Sequence, residues 1–223
     1  MKIAICIPHY GDVKARFLES LANAVAHTMA ARINYRRVIT QPMIWTSAIG
    51  SPSIDTNRNV LVQQALKWGA DYILFCDSDM TFPGDALLKL LAADQPVVGC
   101  NYARRSGKGA TAARDSSSGL CPIEAGSGLE RVDYLGLGLC LINSQIFDSL
   151  KHPWFRTTIG ENGKVEEGED GFFFAALRRA GVPVFVHHDL SEEVGHLAER
   201  ELRLSDLEGR SDVGSIRAPT GAQ

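Results

Sequence analysis

Two acids one residue apart close an apolar run in this 223-residue chain: Tyr72 to Cys76 leads directly into Asp77, Ser78, Asp79 and Met80. On extended backbone the side chains at i and i+2 share a face, so both carboxylates can converge on one ligand. Oxygen donors of this kind suit a hard divalent cation such as Mg²⁺ or Mn²⁺. The same residue types also make an Asx turn, with Asp79 solvated or capping the helix that opens near Pro83. A second acidic pair, Glu169 and Asp170, precedes the helical run Phe172 to Ala180. The partial positive charge of a helix start favours an ionised carboxylate there, which serves either as a base or as an N-cap.

The elements around these acids alternate. Lys2 to Ile7 is a short apolar run closed by Pro8, His9, Tyr10 and Gly11, and reads as a buried strand ending in a turn. Phe17, Leu18, Leu21, Val25 and Met29 recur at helical spacing, and Val38 to Thr40 predicts a second strand. Val60, Leu61, Ala65, Leu66 and Trp68 mark a helix with Ser53 or Asp55 as its cap and Gly69 as its stop. Strands follow at Tyr72 to Cys76 and Pro96 to Cys100, with a helix from Phe82 and Pro83 to Leu91 between them. Strands alternating with helices predict an α/β fold: a Rossmann-like, mostly parallel central sheet flanked by helices, with ligands beyond the carboxyl ends of its strands. Arg104 to Gly128 has no apolar period and reads as a mobile loop. Order returns at Val132 to Ile142, where Gly136 and Gly138 indicate a close approach by ligand or backbone, or a bulge. Ser144 to Leu150 predicts a short helix, Val184 to Val186 a last strand, and residues 205–223 a flexible tail.

One domain over 1–204 is the economical division, with a ligand-binding half at 1–101 and a second half at 129–204. The sequence is 45% hydrophobic and 22% charged with a formal net charge of -3, which is a globular composition without the basic footprint of a nucleic-acid binder. The five cysteines form no CxxC pair and read as reduced structural residues. No stretch has the length of a membrane span and the N-terminal apolar run is too short for a secretory leader, so a cytoplasmic protein is expected.

The ordered set PHYG, TNRN, DSDM, GLGLCLI, PWF, GED and VGH, running from the first strand to His196, resembles the GT-A glycosyltransferases, particularly small bacterial and phage-associated ones. The resemblance implies a sugar nucleotide (nucleotide-diphospho-sugar) donor and a hydroxyl-bearing acceptor. Asp77 would touch the ribose or a metal-bound water, Asp79 would ligate the metal, and His196 would complete the site, with His187, His188 and Asp189 as competitors. An imidazole ligand tilts the cation from Mg²⁺ toward Mn²⁺. Pro8, Tyr10 and Ser78 fall on the donor side, Tyr10 stacking on the base or capping the core edge. Arg58 would add charge at the phosphates, or stand exposed on its helix. Asp170, with Glu169 beside it, would deprotonate the acceptor for an inverting transfer. Gly136 and Gly138 would approach the sugar, and Trp154 would be an acceptor platform or a buried anchor. Two rivals remain: a haloacid-dehalogenase-type phosphatase with Asp77 as nucleophile, since Asp77 to Thr81 also reads DxDxT, and a sugar-nucleotide-binding module without turnover.

Overall fold

The five residues Tyr72–Cys76 form a strand whose alternate side chains enter two separate cores. Ile73 and Phe75 face one side, and Leu74 and Cys76 the other, and all four are buried. Near-continuous apolar character in a short strand requires such two-sided burial. The computed structural model of the chain describes residues 1–31, 41–46, 53–105, 109–116, 119–123 and 125–198, with 41–46, 115, 116 and 119 as backbone only.

In chain order the first elements are β1 (Lys2–Ile7), α1 (Ala15–Ala30), β2 (Gln41–Thr46), α2 (Ile54–Trp68) and β3 (Tyr72–Cys76). Next come β4 (Met80–Thr81), α3 (Ala86–Ala92), β5 (Val97–Gly99), and the strands β6 (Ala113–Ser116) and β7 (Gly119–Pro122). The chain continues through β8 (Leu129–Val132), β9 (Leu139–Asn143), α4 (Ile146–Ser149), β10 (Thr158–Ile159) and β11 (Val165–Glu167). It closes with α5 (Glu169–Arg179), β12 (Val184–His187), α6 (His188–Ser191) and β13 (Gly195–His196). The expected strand at Val38 to Thr40 and the tail at 205–223 lie outside the described residues.

The expected α/β sheet is present with seven strands in the order β2-β1-β3-β9-β5-β12-β8. It is mixed: β1 pairs in parallel with β2 and β3, and β12 with β5, whereas β9 runs antiparallel between β3 and β5 and β8 antiparallel to β12. The antiparallel insertion of β9 brings Gly138 beside the end of β3, where its carbonyl accepts from the Asp77 N–H at 2.9 Å. One core packs Ala4, Cys6, Ile73 and Phe75 against Leu61 and Ala65 of α2 and Phe173 and Leu177 of α5. The other packs Ile3, Ile5 and Leu74 against Phe17 and Leu21 of α1 and Leu87 of α3.

Several local expectations shift. In α1 the buried stripe is Phe17, Ser20, Leu21, Ala24 and Thr28, while Leu18 and Met29 are exposed, because the helix turns toward Phe82 through a hydrogen bond from the Phe82 N–H to Ser20 Oγ. Gly69 closes α2 in the left-handed region at φ 77°, a conformation that costs glycine nothing. The segment read as a structureless loop holds order: β6 and β7 pair antiparallel, and Ala112 and Ala113 are buried. Their anchor is Asn101, whose Oδ1 accepts from the Thr111 and Ala112 N–H groups at 2.9 and 2.8 Å.

The TNRN segment opens α2, and Asn59 from it fixes a distant turn. Its Nδ2 donates to the carbonyls of Asp55 at 2.8 Å and Phe155 at 2.7 Å, and its Oδ1 accepts from the Trp154 and Phe155 N–H groups at 3.0 and 3.3 Å. Asp55 Oδ2 accepts from the Thr157 N–H at 2.9 Å, so α2 holds the whole Pro153–Thr157 segment against the core. Removing a buried amide that satisfies three backbone groups of this turn costs about 2–3 kcal/mol. Asn59→Ala therefore lowers Tm by roughly 5 °C or more in a thermal melt, whereas Asn143→Ala, at a partly exposed site, leaves it nearly unchanged.

Candidate active site

Arg58 is 2% exposed and lies among the apolar residues of α2, on the same stripe as Val62 and Ala65. Its guanidinium stands over the Phe75 ring at 5.3 Å and reaches three carboxylates. Asp77 Oδ1 is 3.2 Å from one terminal nitrogen, Asp170 Oδ1 is 3.7 Å from the same nitrogen, and Glu169 Oε1 is 3.5 Å from Nε. A buried cation is tolerated only with such partners, and three acids gathered in low dielectric need the cation equally. Arg58 is thus neither an exposed helix arginine nor a side chain turned out toward a phosphate. It is the centre that draws β3, α2 and α5 together.

Asp170 belongs to the first turn of α5, whose cap is Gly168, so it is not an N-cap. Its Oδ2 accepts from the Leu137 N–H at 3.3 Å, and its buried Oδ1 has no hydrogen-bond partner among the described residues. Burial pushes its pKa up from 3.8 to about 7; Arg58 opposes this, and Glu169 and Asp77 add to it. A carboxylate with that value exchanges its proton near neutrality, as a general base requires.

The other end of the DSDM segment makes a second centre. Asp79 is 6% exposed, and the antiparallel pair β4·β13 lays Gly195 opposite Thr81 and His196 opposite Met80. A hydrogen bond from the Leu197 N–H to the Asp79 carbonyl at 2.7 Å continues that pairing. Gly195 is required there, because a Cβ would come within 2.6 Å of Thr81 Oγ1. The result sets His196 Nε2 3.3 Å from Asp79 Oδ2, with the Arg105 guanidinium bonded to both. Arg105 Nε donates to His196 Nε2 at 3.2 Å, which leaves the imidazole proton on Nδ1, donated to the Ala103 carbonyl at 3.0 Å. Two acceptors therefore face one another across a short gap, an arrangement stable only around a cation. A neutral imidazole held through its other nitrogen has the form of a metal ligand.

Asp79 and His196 consequently fit a divalent ion: their lone pairs converge, and Asp79 Oδ1 is buried without a hydrogen-bond donor among the described residues. Asp77 does not join them, because its carboxylate is held by Arg58, and no group of three or more His, Cys, Asp or Glu side chains suited to a metal occurs among the described residues. The competing histidines are engaged elsewhere. His188 is buried against Glu130 at 2.8 Å, and His187 caps α6 by accepting from the Leu190 N–H, while Asp189 accepts from the Gly128 N–H.

Pro8 is buried at the end of β1, and Tyr10 beyond it is 57% exposed, on the rim near Glu169, Arg58 and Asp77. Ser78 lies between the two aspartates, its carbonyl accepting from the Lys14 N–H at 3.4 Å. Gly136 and Gly138 are approached by Tyr102: a Cβ on either would fall 2.3 or 2.5 Å from its hydroxyl, which accepts from the Gly138 N–H at 2.8 Å. Burial raises the Tyr102 pKa well above the usual phenol value, and its ring meets His196 edge-on at 5.5 Å. Trp154 is not at the site; it is buried against Phe147 and His152 and anchors its turn. A groove of about 620 Å³ runs alongside the start of α5, lined by Arg104, Tyr134, Glu167, Gly168 and Gly171 among others. Tyr102 and Arg105 carried no motif of their own. The burial of Arg58 was signalled by its i, i+4, i+7 spacing to Val62 and Ala65.

No protein-family model and no curated protein sequence matches this chain. Among solved structures it is similar to A197 from STIV, with a TM-score of 0.60 at 17% identity over 91% of this chain and 97% of that one. GalNAc-T7, crystallised with UDP, GalNAc and Mn²⁺, gives a TM-score of 0.60 at 10% identity over 90% of this chain and 44% of that one. The chain has the GT-A fold. A third similarity, to S. aureus TarS 1-349 in complex with UDP-GlcNAc, has a TM-score of 0.48 at 15% identity over 91% of this chain and 60% of that one. Among the described residues no helix is long and apolar enough to cross a membrane.

The raised pKa of Asp170 ties this cluster to stability. The folded protein keeps a proton up to about pH 7 that an unfolded aspartate with a value of 3.8 has already released, so stability falls as pH rises across that window and then levels. Asp170→Asn removes the cost of ionising the buried group. Its Tm gain over the wild type should be small at pH 5 and reach roughly 5 °C or more at pH 8.

Proposed function

We infer that this chain is a divalent-cation-dependent glycosyltransferase that moves a sugar from a nucleotide-diphosphate donor to a hydroxyl acceptor with inversion. The observation that carries the reading is the pairing of two unlike centres on one short segment. Asp79 with His196 is poised for a cation, and Asp77 is tied through Arg58 to a carboxylate that titrates near neutrality. The GT-A fold supports it, as does a structural neighbour crystallised with UDP and Mn²⁺.

Asp79 and His196 are the residues that would hold the cation, with Mn²⁺ preferred over Mg²⁺ because one donor is nitrogen. When bound, such an ion neutralises the charge that gathers on the diphosphate as the anomeric bond breaks. Tyr10, exposed on the rim, offers a ring face to the nucleobase. The acceptor oxygen attacks the anomeric carbon as the bond from that carbon to the diphosphate oxygen breaks, and the hydroxyl proton passes to the Asp170 carboxylate. The Leu137 N–H, bonded to Oδ2, and Arg58, beside the buried Oδ1, fix the orientation of that carboxylate. Arg58 stabilises the Asp170 carboxylate against the like charges of Asp77 and Glu169 until it takes up the proton, and Glu169 contributes by holding Arg58. In-line attack of this kind inverts the anomeric centre.

A panel of sugar nucleotides incubated with Mn²⁺, with and without simple saccharide acceptors, tests the assignment. At least one donor should be turned over, EDTA should abolish turnover, and Asp79→Ala and Asp170→Asn should each slow it by about a hundredfold or more. The rate should rise tenfold per pH unit up to about pH 7 and then level, the signature of Asp170 losing its proton. Release of phosphate from simple monoesters without any turnover of sugar nucleotides would establish the phosphatase instead, and tight binding without turnover the silent module.

A further inference from the structure

The two aspartates of the DSDM segment each hold an arginine, and the two arginines differ in kind. Arg58, on Asp77, has a side chain 3% exposed inside a helix face and meets three acids, so it cannot leave without unfolding its surroundings. Arg105, on Asp79, has a side chain 69% exposed and follows Ala103 and Arg104, which meet Gly109 and Ala110 through the Ala103↔Ala110 bridge, the bond from the Arg104 N–H to the Gly109 carbonyl at 3.1 Å and the bond from Arg104 Nε to the Ala110 carbonyl at 3.2 Å. Its guanidinium contacts both Asp79 Oδ2 and His196 Nε2, the two lone pairs that converge for a metal ion.

We propose that Arg105 is the resident counter-cation of the Asp79–His196 centre and that a divalent ion binds there by exchange with it. The proposal rests on the metal reading of this site and adds which of this chain's residues governs access to it. A buried carboxylate needs a positive partner at all times. Asp79 takes one from Arg105, and the exchange keeps the local charge from collapsing when the metal arrives. The same contacts position the ligands. Arg105 holds Asp79 and His196 together and selects the imidazole tautomer with Nε2 unprotonated, so the ion meets a formed pair. A cavity of about 370 Å³, lined by Ala103, Gly109, Ala110 and residues of α6, adjoins the same stretch. Because one site accepts one cation, Arg105 sets the apparent affinity for the metal.

The test is Mn²⁺ binding to the nucleotide-free full chain, followed by the electron paramagnetic resonance signal of free Mn²⁺ and by thermal melts with and without Mn²⁺. Arg105→Ala should bind Mn²⁺ about tenfold more tightly than the wild type, with Arg105→Lys in between. Its melting temperature without metal should be lower and its Mn²⁺-induced rise larger. Asp79→Ala should remove this binding in either background. If the wild type binds Mn²⁺ through Asp79 but Arg105→Ala binds it equally or more weakly, the exchange is refuted and the proposed function stands. If neither protein binds Mn²⁺, the metal reading falls and the exchange falls with it.

Discussion

The guanidinium of Arg58 is a full positive charge taken out of water, and the site is organised by what that charge requires. Left alone it would cost several kcal/mol. Surrounded by Asp77, Glu169 and Asp170 it becomes the one group that lets three carboxylates share a small volume. The acids come from the ends of two packed elements: Asp77 follows β3, and the pair Glu169–Asp170 starts α5. Burial raises the Asp170 pKa to about 7, Arg58 opposes the rise, and the charges of Glu169 and Asp77 add to it. The proton chemistry proposed for Asp170 thus reflects a balance between its burial and the guanidinium that holds this edge of the fold together.

The second centre depends on backbone rather than on burial of an ion. His196 lies far from Asp79 in the chain, and the two-residue pairing of β13 with β4 fixes it beside the aspartate. Strand pairs this short are weak alone, and supports surround this one. Tyr102 stacks its edge on the imidazole and hydrogen-bonds Gly138, and Gly138 in turn receives the Asp77 N–H. The two small residues on the GLGL stretch exist for the tyrosine, which occupies the space their missing side chains would fill. Both centres thus meet at the start of β9, and the antiparallel placement of that strand between β3 and β5 makes the meeting possible.

Much of this was legible in the residues. The run Tyr72–Cys76 and the acids after it were plain because a short apolar strand and a polar stop are local signals, and the α/β alternation came from the same periodicities. Asp79, His196, Asp77 and Asp170 were named, and the structure brings the first two and the last two together. The partition into two pairs was not legible, because it depends on a third residue, Arg58, whose side chain turns inward. Trp154 stayed open between an acceptor platform and a buried anchor for a comparable reason. An aromatic beside a proline in a loop reads the same whether it faces a ligand or a core, and only the Asn59 hydrogen bonds decide it. The Arg104 to Gly128 segment looked structureless because its order comes from Asn101 and from a bridge to Tyr134, long-range contacts that leave no period in the sequence.

Asp77 and Asp79 differ in their cations, and the difference explains why an acid pair that looks symmetrical in sequence acts asymmetrically. On an extended chain both carboxylates would share a face, but the backbone does not stay extended: the Met80 N–H bonds back to the Asp77 carbonyl at 3.1 Å, and the segment turns. The turn sends Asp77 toward α2 and α5 and Asp79 toward β13. Asp77 then meets a cation fixed in the core, and Asp79 meets one on an exposed side chain. A turn of four residues is enough to place one ion pair inside and the other at the surface, and the exchange proposed for Arg105 depends on that difference.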